Sequence, residues 1–370
     1  MATAIRIEAL PARLGDCLLV ECVRPGTRPW RMLVDGGPPD TWPLLAARLE
    51  RLPVDDRRLD VVVITHIDSD HIGGMLPFFQ SEFAQQNVGQ VWFNGFQHLP
   101  VPEDRGIRSI SQAESVTDEL FGEGHGHAFD WNTAFDGGPV ATAEPGQFVE
   151  LKPKDDGPRI TVLSPTLKRL ASLRKEWAKA LAKAREGEPE VAPPRDLVPL
   201  AKLDDLESLA AKKSSNDGSA PNGSSIGLLL EHRGASCLLS GDGFSKVLGE
   251  GLTGLAAARG VEAIEIDAFK LPHHGSQANL ASALVAAAPA RHYVVSSNGD
   301  TFNHPDDVAL ARVLVGAPNG LTLWFNYENE RTRRWADPDL RDRFGHKVKF
   351  PATPAAGAVL ELPARGQDGR

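Results

Sequence analysis

Short runs of β-branched and aliphatic residues open the chain: IRIEAL (5–10), CLLVECV (17–23) and RMLV (31–34), separated by Gly and Pro and closed by Asp35-Gly36-Gly37. That punctuation predicts a meander of strands. TWPLLAARLERL (41–52) has helical spacing, and LDVVVIT (59–65) is apolar without alternation, which predicts a strand buried on both faces. HIGGMLPFFQSEFAQQ (71–86) reads as a helix, VGQVWFNG (88–95) as the next strand, and residues 98 to 140 as Gly-rich loop with short helices. ITVLSP (160–165) is again strand-like.

The texture changes at Leu167, where Leu167, Leu170, Leu173, Trp177 and Leu181 recur at three- and four-residue steps and predict an amphipathic helix. An extended connector (188–199), a second short helix (204–213) and a flexible loop (214–225) follow. Strand patterns resume with IGLLLEHR (226–233) and ASCLLSGD (235–242), then a helix over 243–260, a strand over 261–272 ending in His273-His274-Gly275-Ser276, and a strand over 290–300 whose loop carries Asn303-His304-Pro305. Strands alternating with helices, each strand end dressed with polar residues, predict an α/β fold with a sheet-on-sheet core flanked by helices. The chain divides accordingly into 1–166, an inserted helical and flexible segment 167–224, and 225–370.

Composition changes this picture little: 370 residues with 41% hydrophobic and 24% charged residues describe a globular protein. A net charge of −9 argues against a surface coated with nucleic-acid-binding residues, so a polyanion has to be met locally. The helix supplies such a place, with Lys168, Arg169, Arg174, Lys175, Lys179, Lys183 and Arg185 against Glu176 alone. Those residues are either polyanion contacts or a solvated helix face. Cys17, Cys22 and Cys237 lack metal-ligand spacing and read as buried thiols of a reducing compartment. No secretory leader pattern and no 18-residue apolar run is visible, which gives the expectation of a cytoplasmic protein without a membrane partner.

The densest chemistry is VVVITHIDSDHIGG (61–74). If the chain stays extended past the strand, His66, Asp68 and Asp70 project to one side, and His71 follows where Gly73-Gly74 lets the backbone fold in closely. Imidazole and carboxylate together suit zinc, manganese or iron. A helix N-cap would account for one of these aspartates, not for two histidines beside two carboxylates. Asp242 ends an apolar strand, where a buried carboxylate is costly without a cation, although a turn aspartate is the plainer alternative.

THIDSDHIGG resembles the signature loop of the metallo-β-lactamase fold superfamily, with aspartate in place of the second histidine, as in the nuclease-like domain of ComEC competence proteins and in phosphorylcholine esterases. GDCLLVE, LVDGG, TVLSP, NGSSIGLLLE, LLSGD, FKLPHHGS and a late NHP agree in order, so the resemblance spans about residues 5 to 335. It implies a four-layer αββα sandwich and a hydrolase using a water activated by two divalent ions, zinc first and manganese as the alternative suggested by the oxygen-rich ligands. It implies that Asp242 bridges the ions and that one histidine of LPHHGS is a terminal ligand. Adjacent residues of a regular strand cannot both face one ion, so His274 is taken as the ligand and His273 as its neighbour or a proton donor to the leaving group, the reverse assignment staying open. The metal ligands are then His66, Asp68, Asp70, His71, Asp242 and His274, with Asp70 and His273 as the catalytic candidates.

Asp35 resembles the superfamily's first aspartate, which orients a ligand or water, and His304 either binds substrate or is structural. No histidine between Asp70 and Asp242 matches the third ligand motif of the usual lactamases, which argues against β-lactam hydrolysis; His125 and His127 sit in a Gly-rich stretch without a scaffold. The expected substrate is a phosphodiester, a nucleic acid or nucleotide. A carboxyl-ester, thioester or amide hydrolase and a catalytically silent binding module are the alternatives. ComEC proteins usually carry a membrane channel, and none is seen here, which gives the expectation of a stand-alone enzyme.

Overall fold

The structure, a computed structural model, describes residues 2–100, 129–151, 156–186 and 205–365. Strands β1 (Thr3–Ala9), β2 (Leu18–Cys22), β3 (Trp30–Val34), β4 (Leu59–Val63), β5 (Val88–Trp92) and β14 (Ala358–Pro363) form a six-stranded sheet in the order β14-β1-β2-β3-β4-β5. Strands β6 (Val149–Leu151), β7 (Arg159–Ser164), β8 (Gly227–His232), β9 (Ala235–Leu239), β10 (Ile266–Lys270), β11 (Ala290–Val295), β12 (Thr322–Phe325) and β13 (Lys347–Lys349) form an eight-stranded sheet in the order β13 to β6. Pairing is antiparallel from β14 to β3 and from β6 to β9, and parallel from β3 to β5 and from β9 to β13.

Alternation of side chains along each strand builds the layers. In β4, Val61 and Val63 enter the core between the sheets with Val20, Met32, Leu228, Leu230, Cys237 and Ala268, while Val62 points the other way. There Val62, Leu19, Leu33 and Val91 are covered by Leu45 and Leu49 of helix Trp42–Glu50, Phe78 and Phe79 of helix Met75–Phe79, and Leu170, Leu173 and Trp177 of helix Leu167–Glu186. On the far face of the other sheet, Leu229, Leu238, Phe269, Tyr293 and Leu323 pack under Leu248, Leu252 and Leu255 of helix Ser245–Arg259 and Leu310 and Val313 of helix Asp307–Gly316. Helices, two sheets and helices thus stack as four layers, a mixed α/β fold consistent with the metallo-β-lactamase architecture.

The expected helix over 71–86 is three short pieces, Ser69–Ile72, Met75–Phe79 and Glu82–Asn87, because glycines and then Gln80-Ser81 interrupt it. The expected strand over 261–272 is shorter, Ile266–Lys270. All three cysteines are buried free thiols. Among the described residues no helix is long and apolar enough to cross a membrane.

Candidate metal centre

The C-terminal ends of β3, β4, β9, β10 and β11 meet at one edge of the sandwich and deliver Asp35, the 65–71 loop, Asp242, His273-His274 and the 296–304 loop. Glycine lets these loops approach. A Cβ on Gly74 would lie 2.1 Å from the carbonyl oxygen of Gly36, and one on Gly15 would lie 1.7 Å from that of Asp70. Gly36 N–H donates to His71 O and Gly74 N–H to Gly37 O, both at 2.8 Å, so the Asp35-Gly36-Gly37 turn clasps the histidine loop.

Each ring of the first half has its Nδ1 committed. Thr65 donates from its N–H and its Oγ1 hydroxyl to the Asp35 carboxylate, both at 2.7 Å. Asp35 Oδ2 also accepts from His71 Nδ1 at 2.7 Å. Since the Thr65 hydroxyl proton is used on Asp35, Thr65 Oγ1 accepts from His66 Nδ1, 3.0 Å away. His274 Nδ1 donates to the carbonyl of Ser296 at 2.9 Å, an atom that can only accept. In each neutral ring Nε2 therefore carries the lone pair, the arrangement in which imidazole binds a metal.

Those lone pairs converge on carboxylates. His71 Nε2 lies 3.3 Å from Asp242 Oδ1 and 3.8 Å from Asp70 Oδ2. His274 Nε2 lies 3.4 Å from Asp70 Oδ2 and 3.7 Å from Asp242 Oδ2, and His66 Nε2 3.7 Å from Asp68 Oδ2 and 4.0 Å from Asp242 Oδ2. His66, His71 and His274 Nε2 and Asp68 and Asp242 Oδ1 are all buried without a hydrogen-bond partner. Orphaned buried polar atoms are costly, and a cation among them relieves that cost. Two groups, His66, His71 and Asp242, and Asp70, His71 and His274, place their donor atoms within 4.8 Å of one another, so the residues present fit metal binding.

The electrostatics carry the same imprint. Burial depresses His66 to about 3, helped by His71, and pushes Asp68 up to about 6, helped by Asp70. Burial alone would raise Asp70 and Asp242, but the facing histidines hold Asp70 at about 2 and Asp242 well below the usual carboxylate range. Burial would likewise lower His274 and His71, yet Asp242 and Asp16 lift His274 to about 9 and Asp242 and Asp35 lift His71, so without a metal ion a proton on Nε2 takes the place the ion would fill.

The remaining expected residues are spread around this centre. His273 Nε2 is 3.7 Å from Asp242 Oδ2, so both members of the His273-His274 pair face the same carboxylate. His304 is buried, its ring centroid 5.4 Å from that of His273, and burial lowers it to about 4, which leaves it neutral. A cavity of about 330 Å³ opens over the centre, walled by Asp68, Asp70, Lys183, Asp242, His273 and His304 among others. Of the basic helix residues, Lys183 reaches that wall, and Lys168, Lys175 and Lys179 are exposed. Arg174 is occupied in bracing the fold: it stacks on Phe96 at 4.3 Å and donates to the carbonyls of Phe96 and Leu99. Arg169 lies over the Phe244 ring at 4.7 Å. His125 and His127 lie outside the described residues, as does the side chain of Arg185.

Sequence reasoning passed over Asp16 and Lys270, which form a buried ion pair beneath His274, with Asp16 Oδ1 3.5 Å from His274 Nδ1. A lysine closing the otherwise apolar end of a buried strand, AFK at 268–270, was the available signal. It also passed over Ser225, whose Oγ accepts from the Asp242 N–H at 2.9 Å, and Asp217 and Asn279, whose carboxylate and amide pair beside His273; none carries a pattern of its own.

Residues 15–139 match the family model described as the metallo-beta-lactamase superfamily. No curated protein matches the chain. Among solved structures, CmlA, a diiron beta-hydroxylase from Streptomyces venezuelae, is similar at 13% identity and a TM-score of 0.40, over 98% of this chain and 55% of its own, so this chain spans about half of its length. Zn(2+)-bound PqqB from Methylobacterium extorquens is similar at 14% identity and a TM-score of 0.38, over 93% of this chain and 87% of its own. The metallo-β-lactamase MIM-1 from Novosphingobium pentaromativorans is similar at 12% identity and a TM-score of 0.30, over 84% and 86%. Likenesses of that size carry nothing about substrate. The family match thus covers residues 15–139 of the chain, within a two-sheet α/β fold.

Proposed function

We propose that the protein is a metal-dependent hydrolase, a phosphodiesterase acting on nucleic acid or nucleotides. The observation that carries this reading is the convergence of buried, unpartnered imidazole nitrogens on carboxylates, of which Asp68, Asp70 and Asp242 line a cavity whose wall bears a lysine. His66, Asp68, Asp70, His71, Asp242 and His274 would hold two divalent ions, zinc first. Such ions lower the pKa of a water toward neutrality and stabilise negative charge developing on the substrate.

The chain's own residues supply the rest. Asp70 lines the cavity, with its Oδ2 3.4 Å from His274 Nε2, and its carboxylate would accept a hydrogen bond from the attacking water and so orient that water. Lys183 brings a positive charge to a wall otherwise rich in carboxylates, where a phosphate's non-bridging oxygens need one. Neutral His304 and the hydroxyls of Ser219 and Ser276 line the same wall as further hydrogen-bonding groups for phosphate. The ComEC-like form of THIDSDHIGG and LPHHGS supports a phosphoryl over an acyl substrate.

The test is hydrolysis by zinc- and manganese-loaded protein of bis-(p-nitrophenyl) phosphate beside p-nitrophenyl acetate. Turnover of the phosphodiester, with a raised KM in Lys183→Gln, is expected. Turnover of the ester alone would move the assignment to acyl hydrolysis.

A further inference from the structure

We infer that His273 is itself a metal ligand, and that Asn279, held by Asp217, is the positioning residue that makes it one; this rests on the metal-centre reading above. The expectation that adjacent histidines cannot face one ion assumes a regular strand. Here the pair sits in a tight turn with both residues in the left-handed region, His273 at φ 47, ψ 51 and His274 at φ 56, ψ 21. That turn swings both rings to one side, each Nε2 3.7 Å from Asp242 Oδ2.

The hydrogen bonds then decide which nitrogen of His273 carries the proton. Asn279 is fully buried, and its Nδ2 donates to Asp217 Oδ2 at 2.9 Å and to the main-chain carbonyl of Asp242 at 3.1 Å. Both are acceptors without a hydrogen, so a flipped amide would set oxygen against oxygen twice. Asp217 is itself fixed, its Oδ1 accepting from Ser219 N–H at 2.8 Å and its Oδ2 from Asn222 Nδ2 at 2.7 Å. Asn279 Oδ1 is left facing His273 Nδ1 at 2.9 Å, and an amide oxygen only accepts. Nδ1 therefore holds a proton, and in the neutral ring Nε2 holds the lone pair.

A lone pair directed at the Asp242 carboxylate is repelled unless a metal ion or a second ring proton lies between them, and metal loading separates the two. His273 would thus add a nitrogen to the donors around Asp242 Oδ2, which His66 and His274 Nε2 also face at 4.0 and 3.7 Å. This is the logic by which ligating histidines are oriented through their second nitrogen.

The experiment strips the full-length protein with a chelator, reloads it with zinc alone, and reads stoichiometry by elemental analysis and affinity by competition with a chromophoric chelator. Wild type is expected to bind at two sites. His273→Ala, and His273→Gln as the volume-conserving variant, are expected to weaken one site by tenfold or more and spare the other, with imidazole restoring binding to the alanine variant. Asn279→Ala is expected to weaken the same site by about 10-fold. In cobalt-loaded protein the visible spectrum should change with the loss of a nitrogen donor. Two sites of unchanged affinity in both His273 variants, with only turnover reduced, would overturn the inference and return His273 to proton transfer. A wild type that binds no ion would instead overturn the metal centre itself, a distinct failure.

Discussion

Asp35 does not line the cavity, yet three donors end on its carboxylate: the Thr65 amide, the Thr65 hydroxyl and His71 Nδ1. Through them it sets the tautomer of His71 directly and that of His66 through Thr65. Burial pushes its pKa upward, against the pull of His71 and Thr65, so the site keeps it as an acceptor at some cost. Asp35→Asn places an amide where three protons point, and the expected result is a loss of zinc affinity of about 10- to 100-fold with the fold retained. Chelator competition together with circular dichroism checks it. At this scale the sequence was legible where residues cluster. His66, Asp68, Asp70 and His71 announce themselves because four side chains of the types that ligate metals fall within six positions after a buried strand. Asp16, Lys270, Asp217 and Asn279 do not, since each is a single polar residue that gains meaning from a partner far away, as Asn279 does from Asp217 62 positions earlier.

Among the elements, periodicity was most informative for the helix Leu167–Glu186. Its stripe of Leu170, Leu173 and Trp177 packs into the same apolar cluster as Phe78 and Phe79, so the segment is part of the layer covering the first sheet. Leu173→Ala is expected to destabilise the protein by about 2–5 kcal/mol, through lost burial and the cavity left behind, with urea denaturation as the measurement. The apolar spacing after His71 misled for a physical reason. It continued through Gly73-Gly74, where the backbone has to pass within contact of Gly36, and so could not remain one helix. The last strand, β14, was not legible as a partner of β1. Their register, with Ile7 opposite Leu360, joins the two ends of the chain, and no local pattern encodes such a pairing.

For the molecule as a whole, a net charge of −9 and an acid-lined cavity would repel a polyanion at long range. The exposed Lys168, Lys175 and Lys179, with Lys183 at the cavity wall, are the local exception on the helix beside it. Replacing these four by glutamine is expected to raise KM for single-stranded DNA and to flatten the dependence of log affinity on log salt by up to about 3. An unchanged slope would show that the helix face serves solvation alone. All of this depends on ions being held where the strand ends meet. The most direct measurement is therefore metal content by elemental analysis of the reconstituted protein, compared with the Asp70→Ala, Asp242→Ala double variant. About two ions per chain in the wild type and a near-complete loss in the variant is the predicted result. A wild type that stays metal-free after reconstitution, or a double variant that binds as much as the wild type, would contradict the account.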